Sequence, residues 1–217
     1  GLNVESSDFE VLGAAVRTHE GEVYYETDMS RVNSLVDSHD VLIMHNASYD
    51  LGCLHYIGSN CRNKHLFDTE VMSRLYNSSL QSHSLDAVAK KYLGLGKDER
   101  ALTDAVWDHN LYPWLKKEEN SKLKAEKNGE EFVRTRPDEA KLVKWAKKNM
   151  KAIQEADLKA MAAYACADAK PTYDLFQFFR DNGLDMKVAK KYSMIAHICV
   201  DYRKRGVMID LDKAREV

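Results

Sequence analysis

The chain has 217 residues, of which 44% are hydrophobic and 30% charged, with a formal net charge of −2. That length can bury a real core, enough for one large domain and a small extra piece, which excludes wholesale disorder. The near-balanced charge excludes a global basic field, so any nucleic-acid contact must be local.

No apolar run approaches the roughly 18 to 20 residues of a membrane span, and the start lacks a basic region followed by an apolar core, so a cytoplasmic monomer with no membrane contact is expected. The four cysteines, Cys53, Cys61, Cys166 and Cys199, form no C-x-x-C pair. They read as free thiols in a reducing compartment, and no Cys/His set in the sequence suits structural zinc.

Leu2 to Glu5, Val11 to Thr18 and Glu22 to Glu26 read as three strands joined by tight turns, one of them at Glu20-Gly21. Ser30 is positioned to cap a short helix carrying Val32, Leu35 and Val36. Val41 to His45 is a compact apolar run of the kind found in buried parallel strands. From Tyr49, the residues Leu51, Leu54 and Ile57 recur at helical spacing up to Gly58, so a strand-loop-helix junction falls on Asn46 to Asp50. Asp68-Thr69 is an N-cap pair for a helix with Val71, Met72, Leu75 and Tyr76 on its apolar face. Ser84 to Tyr92 gives a further helix stopped by Gly94.

Between Gly96 and Asp157 the composition shifts, and Lys116 to Lys127 is nearly all charged, so residues 96–157 read as a charged, solvated helical insertion and not as a core element. Leu158 to Phe179 returns to dense helical spacing, and Pro171 is expected to kink or divide that helix. A last helix near Tyr192 to Arg205 ends at Gly206. Strands first, then alternating helix and strand, indicate an α/β fold with a mixed sheet.

In open α/β sheets ligands bind beyond the carboxyl ends of the strands. Glu5 ends the first apolar run, Asp50 follows the Val41 to His45 strand, and Asp168 stands four residues after Tyr164 on one helical face. Convergent carboxylates suit hard divalent ions such as Mg²⁺ or Mn²⁺. Asp68 reads as a helix cap more than as a ligand, and His45 and His83 as hydrogen-bonded structural histidines.

Taken jointly, Asn3-Val4-Glu5, Asn46-Ala47-Ser48-Tyr49-Asp50 and Tyr164-Ala165-Cys166-Ala167-Asp168 resemble, in order and spacing, the three exonuclease motifs of the DEDD superfamily. The match is to the subtype with tyrosine four residues before the last aspartate, which includes family A DNA polymerases and ribonuclease D. Phe67-Asp68-Thr69, Ser73-Arg74-Leu75, Ser82-His83-Ser84-Leu85 and the stretch Arg205 to Asp210 extend the likeness, which is greatest to polymerases of short-tailed bacteriophages.

The resemblance implies an RNase H-like three-layer α/β/α fold with a mixed sheet of about five strands. It implies 3′→5′ proofreading hydrolysis of single-stranded DNA 3′ ends with two Mg²⁺ or Mn²⁺ ions. Position 3, Glu5, Asp50 and Asp168 would be the metal ligands, and Tyr164 would orient the attacking water. Asn46 and Tyr49 would contact the terminal nucleotide. Residues 1–185 would form the exonuclease domain and 186–217 the start of a polymerase region, whose helix exposes an apolar face.

The family has aspartate where this chain has Asn3, and a neutral amide cannot supply the bridging negative charge. An engineered substitution or natural degeneration would account for it, and so would an alternative alignment in which Asp8-Phe9-Glu10 is the first motif.

Overall fold

The computed structural model describes residues 9–96, 98–112, 115–129, 131, 136–206 and 213. The expected strand from Leu2 to Glu5 lies outside these residues. Strands β1 (Ala14–Arg17) and β2 (Val23–Glu26) pair with each other. In the turn between them the Thr18 amide donates to the Glu22 carbonyl at 2.9 Å. Gly21 has φ of +99°, a conformation that disfavours any residue with a Cβ.

Helix α1 (Met29–Ser38) is capped by Asp28, not by the expected Ser30. The Asp28 carboxylate accepts from the Ser30 amide at 2.8 Å and from its hydroxyl at 2.6 Å, which draws Ser30 into the first turn. A charged acceptor two residues upstream outcompetes the serine for the cap position.

Strand β3 (Val41–Met44) leads to helix α2 (Ala47–Tyr56), then to β4 (His65–Asp68) and α3 (Thr69–Tyr76). β3 and β4 are parallel, with Met44 opposite Asp68, so the two strands end at one level and both helices start there. The Asp68 side chain joins these ends. It accepts from the amides of Asn46 at 3.0 Å, Ala47 at 2.8 Å and Glu70 at 2.9 Å, and so caps α2 and α3 together. Its own amide donates to Ser193 Oγ at 2.9 Å.

The helices continue as α4 (Leu85–Leu93), α5 (Arg100–Asp108), α6 (Leu115–Asn128), α7 (Glu139–Ala146), α8 (Met150–Ala156), α9 (Leu158–Asp181), α10 (Met186–Ser193) and α11 (Ile195–Arg205). The last helix expected near Tyr192 to Arg205 corresponds to α11, and α10 before it is a further helix, capped by Asp185 through the amides of Lys187 and Val188.

The chain forms two compact units, one built chiefly from Glu26–Gly96 and the described residues from Ala169 onward, the other from Ala15–Tyr25 and Lys97–Asp168. Two apolar clusters fill the first unit. One gathers Val36, Leu51, Cys61, Leu66, Ala196 and Val200, and the other Met72, Val88, Leu175, Phe179 and Ala189. The rings of Tyr76, Tyr92, Phe178 and Phe179 pack on one another edge to face or tilted beside the latter.

The second unit corrects the expectation that this segment is only a solvated insertion, because Leu102, Val106, Leu142, Ala146 and Ile153 are buried together there. Charged residues dominate its sequence, yet α5 and α7 each present one apolar face, which is all a small helical core requires. The described part of α6 from Asn120 onward is mostly exposed, as a solvated arm should be.

The sheet also departs from the mixed five strands expected. The four described strands form two separate pairs, β1 with β2 and β3 with β4. β1 and β2 belong mainly to the second unit and β3 and β4 to the first, so the described strands do not join into one sheet.

Pro171 does not divide α9, which runs unbroken from Leu158 to Asp181. The proline removes one amide donor. The helix nonetheless holds because Met161 before it and Leu175 and Phe179 after it are anchored in apolar clusters. The Lys170–Asp174 ion pair at 2.6 Å spans the same turn.

Two stability measurements test this account. Asp68→Ala should lower the free energy of unfolding in urea by about 3 to 5 kcal/mol, since three amides lose a charged acceptor in a buried place. A loss under about 1 kcal/mol would mean that water replaces the carboxylate. Pro171→Ala should raise stability by about 1 to 3 kcal/mol through the regained amide and better helix propensity. A decrease would show instead that the proline ring is needed for packing.

Candidate functional site

At the carboxyl end of β3 the chain turns through Asn46, whose φ of 61° and ψ of 54° lie in the left-handed region. Asparagine tolerates this conformation better than most residues. The sharp turn starts α2 at once and sets Tyr49 and Asp50 in its first turn. The Asn46 side-chain oxygen accepts from Ser48 Oγ at 3.3 Å.

Tyr49, Asp50 and Cys53 then share one stretch of helix. Burial pushes the Tyr49 phenol up to about 12, helped by the neighbouring Cys53 and the Asp50 charge. Burial and Asp50 likewise raise the Cys53 thiol to about 11. Both groups are therefore neutral at pH 7 and add no charge beside the Asp50 carboxylate.

Of the residues singled out from the sequence, the structure brings Asn46, Tyr49 and Asp50 together in the first unit. Tyr164 and Asp168 stand on α9 in the second unit, one turn apart and on one face. The Tyr164 ring packs against that unit's apolar cluster, and Asp168 is half-buried. Asn3 and Glu5 lie outside the described residues, as does Asp8 of the alternative first motif. Phe9 packs edge-on against Tyr56 of α2 with ring centroids 5.1 Å apart, and its carbonyl accepts from the Tyr56 hydroxyl at 2.8 Å.

A polar cleft of about 600 Å³ opens beside Asn46, lined by residues that include His45, Glu70, Arg74, Gln81, Ser82 and His83. Its histidines are built in, as the sequence suggested. Thr69 Oγ1 donates to the Met44 carbonyl at 3.2 Å and so accepts from His45 Nδ1 at 2.9 Å. Ser73 Oγ donates to the Glu70 carbonyl at 2.8 Å and accepts from His83 Nδ1 at 2.7 Å. Each hydroxyl thereby fixes a proton on the Nδ1 of its histidine.

Arg74 pairs with Glu70 at 2.6 Å across one turn of α3, leaving a cation and an anion at the cleft wall. Glu70 and Gln81 were not singled out from the sequence, although the four-residue spacing of Glu70 and Arg74 is itself a legible pairing signal.

His83 is buried, and burial lowers its pKa from 6.5, with the Arg74 charge adding to the shift and Glu70 opposing it. The folded state thus holds His83 neutral, while the unfolded chain takes up its proton more readily. Its contribution to stability is complete above the unfolded value of about 6.5 and is lost as pH falls toward the folded value. The urea midpoint should therefore drop between about pH 7.5 and 5.5, and His83→Gln should flatten that slope. An unchanged slope in the variant would show that other groups set the acid limit.

Residues 9–114 match the model of a family described as 3′-5′ exonuclease. The matched segment is just under half of the chain and contains the Asn46 to Asp50 junction, Asp68 and the polar cleft. No curated protein and no solved structure matches the chain. Among the described residues no helix is long and apolar enough to cross a membrane. The family match supports an exonuclease function, and with it a nuclease-type hydrolase of RNase H-like fold.

Proposed function

We propose that the chain is the 3′→5′ proofreading exonuclease part of a family A DNA polymerase of bacteriophage type, silenced or nearly so by Asn3. The observation that carries this reading is the family match over residues 9–114, which spans the Asn46 to Asp50 junction at the end of a parallel strand. Residues 1–185 are assigned to the exonuclease domain and 186–217 to the start of a polymerase region. The exposed Val188, Tyr192, Ile195, Ile198 and Tyr202 of α10 and α11 support an apolar packing surface there.

Asp50 and Asp168, with Glu5, would hold Mg²⁺ or Mn²⁺. Both described acids are incompletely buried, and carboxylate oxygens are the donors such hard ions prefer. When bound, a pair of these ions supplies an activated water and stabilises the leaving oxygen of the phosphodiester. Asn46 is assigned to hydrogen-bond the terminal nucleotide and Tyr49 to stack on its base, both acting from the rigid first turn of α2. Tyr164, on the same face of α9 as Asp168, is assigned to orient the attacking water. Asn3 keeps the shape of an aspartate but removes one negative charge from the set.

Release of nucleoside monophosphates from a 3′-labelled single strand tests the reading. The Asn3→Asp variant should act about a thousandfold faster than the chain as it stands, equivalent to roughly 4 kcal/mol of transition-state stabilisation, with similar DNA affinity. Asp50→Asn in that background should abolish the gain. Equal rates within about threefold would remove position 3 from the ligand set. Asn3 also favours a second reading, a domain of this fold kept for binding single strands. Binding without cleavage even in Asn3→Asp would select it, and faster release from RNA than DNA would select a ribonuclease D-like enzyme.

A further inference from the structure

We infer that His55, Cys61 and His197 form a binding site for a zinc-class divalent ion, separate from the carboxylates assigned to catalysis. The three side chains come from different places in the first unit. His55 stands in the last turn of α2, Cys61 in the loop before β4, and His197 on α11. Their ligand atoms all lie within 4.8 Å of one another. Donors around one tetrahedral zinc sit roughly 3.3 to 3.7 Å apart, given bonds of about 2.0 Å to nitrogen and 2.3 Å to sulfur. Closing the site asks for side-chain shifts of about 1 Å, within reach of small rotations about the χ angles.

The surroundings are unusual for a purely structural cluster. Cys61 is fully buried and His197 is only 7% exposed, yet among the described residues neither ring nitrogen of His197 meets a hydrogen-bond partner. An unsatisfied buried donor or acceptor costs about 1 to 3 kcal/mol, and native proteins leave few of them. The His55 and His197 rings stack at 26° with centroids 6.2 Å apart, so no partner for either nitrogen comes from the other ring. A metal ion would satisfy one nitrogen on each ring and the sulfur at once.

The protonation states fit as well. Burial lowers both imidazoles, the nearby Arg62 charge lowers them further, and each remains neutral at pH 7 with a lone pair to give. Burial raises the Cys61 thiol, so the sulfur is protonated until an ion arrives. Binding then breaks the S–H bond, forms a sulfur–metal bond and releases one proton to solvent. Thiolate with imidazole selects zinc over magnesium, which keeps this site chemically apart from an oxygen-only centre.

Asp201, one turn beyond His197, is not assigned as a fourth ligand because both its oxygens are held by the Arg62 guanidinium. Water completes the coordination. The ion would staple the end of α2 and its following loop to α11.

The test uses the whole chain, stripped by chelator and titrated with Co²⁺ as a spectroscopic substitute for zinc. One equivalent should produce a thiolate-to-cobalt charge-transfer band and the strong visible absorption of tetrahedral Co²⁺. Adding Zn²⁺ should bleach both. Zn²⁺ should also raise the melting temperature of the parent chain. Cys61→Ser should lose the charge-transfer band and the thermal shift, and His55→Gln, at a half-buried position, should weaken Zn²⁺ binding at least tenfold with unchanged circular dichroism. Absence of the band in the parent chain overturns the proposal, whatever the variants do. So does a band that persists in Cys61→Ser, which would place the metal on Cys53, Cys166 or Cys199.

Discussion

The Asp68 carboxylate is the interaction on which the first unit depends. Parallel strands β3 and β4 end in register, so two helices must begin side by side, each with amides that lack partners. One buried acid answers both needs, accepting from Asn46, Ala47 and Glu70. Helix dipoles favour negative charge at this point, and three amide donors make its burial tolerable. The same bonds fix the left-handed turn at Asn46 and hence the direction of Tyr49 and Asp50. The candidate site is in this sense a by-product of capping, with the cap holding the turn and the turn aiming Tyr49 and Asp50.

Each unit then solves its packing locally. The second unit has few apolar residues among many charges, and it places them where α5, α7 and α8 can face one another. The first unit draws its core from segments distant in sequence, with α10 and α11 packed over elements that formed much earlier in the chain. Helix α9 contributes to both, and the anchoring of its two ends explains how an internal proline is accommodated. Losing one amide hydrogen bond costs less than exposing Met161, Leu175 and Phe179 would.

Two kinds of donor sit on this scaffold. Asp50 and Asp168 are only partly buried, and their carboxylates suit hard ions. In the His55, Cys61 and His197 group, Cys61 and His197 are buried and His55 is half-buried, and a thiolate with two imidazoles serves a hard ion poorly and a softer one well. Chemistry separates the tasks proposed for them, hydrolysis for the first and holding α2 and α11 together for the second.

The amino-acid sequence by itself determined the local elements of this protein and the order of its candidate motifs. Alternation and helical spacing located β2, β3, α2 and α4, and the cap at Asp68 was legible because a short side chain bonds an amide only two residues away. Asn46, Tyr49 and Asp50 were legible for the same reason, since all three belong to one turn. Tertiary structure decided the rest. It made Asp28 the cap in place of Ser30, kept α9 whole through Pro171, buried apolar residues of 96–157 together, and set the described strands in two pairs. It also brought His55 and Cys61 to His197, although the sequence showed no Cys/His set suited to zinc. Local pattern records interactions within a turn or two, whereas these outcomes depend on which distant surfaces bury one another.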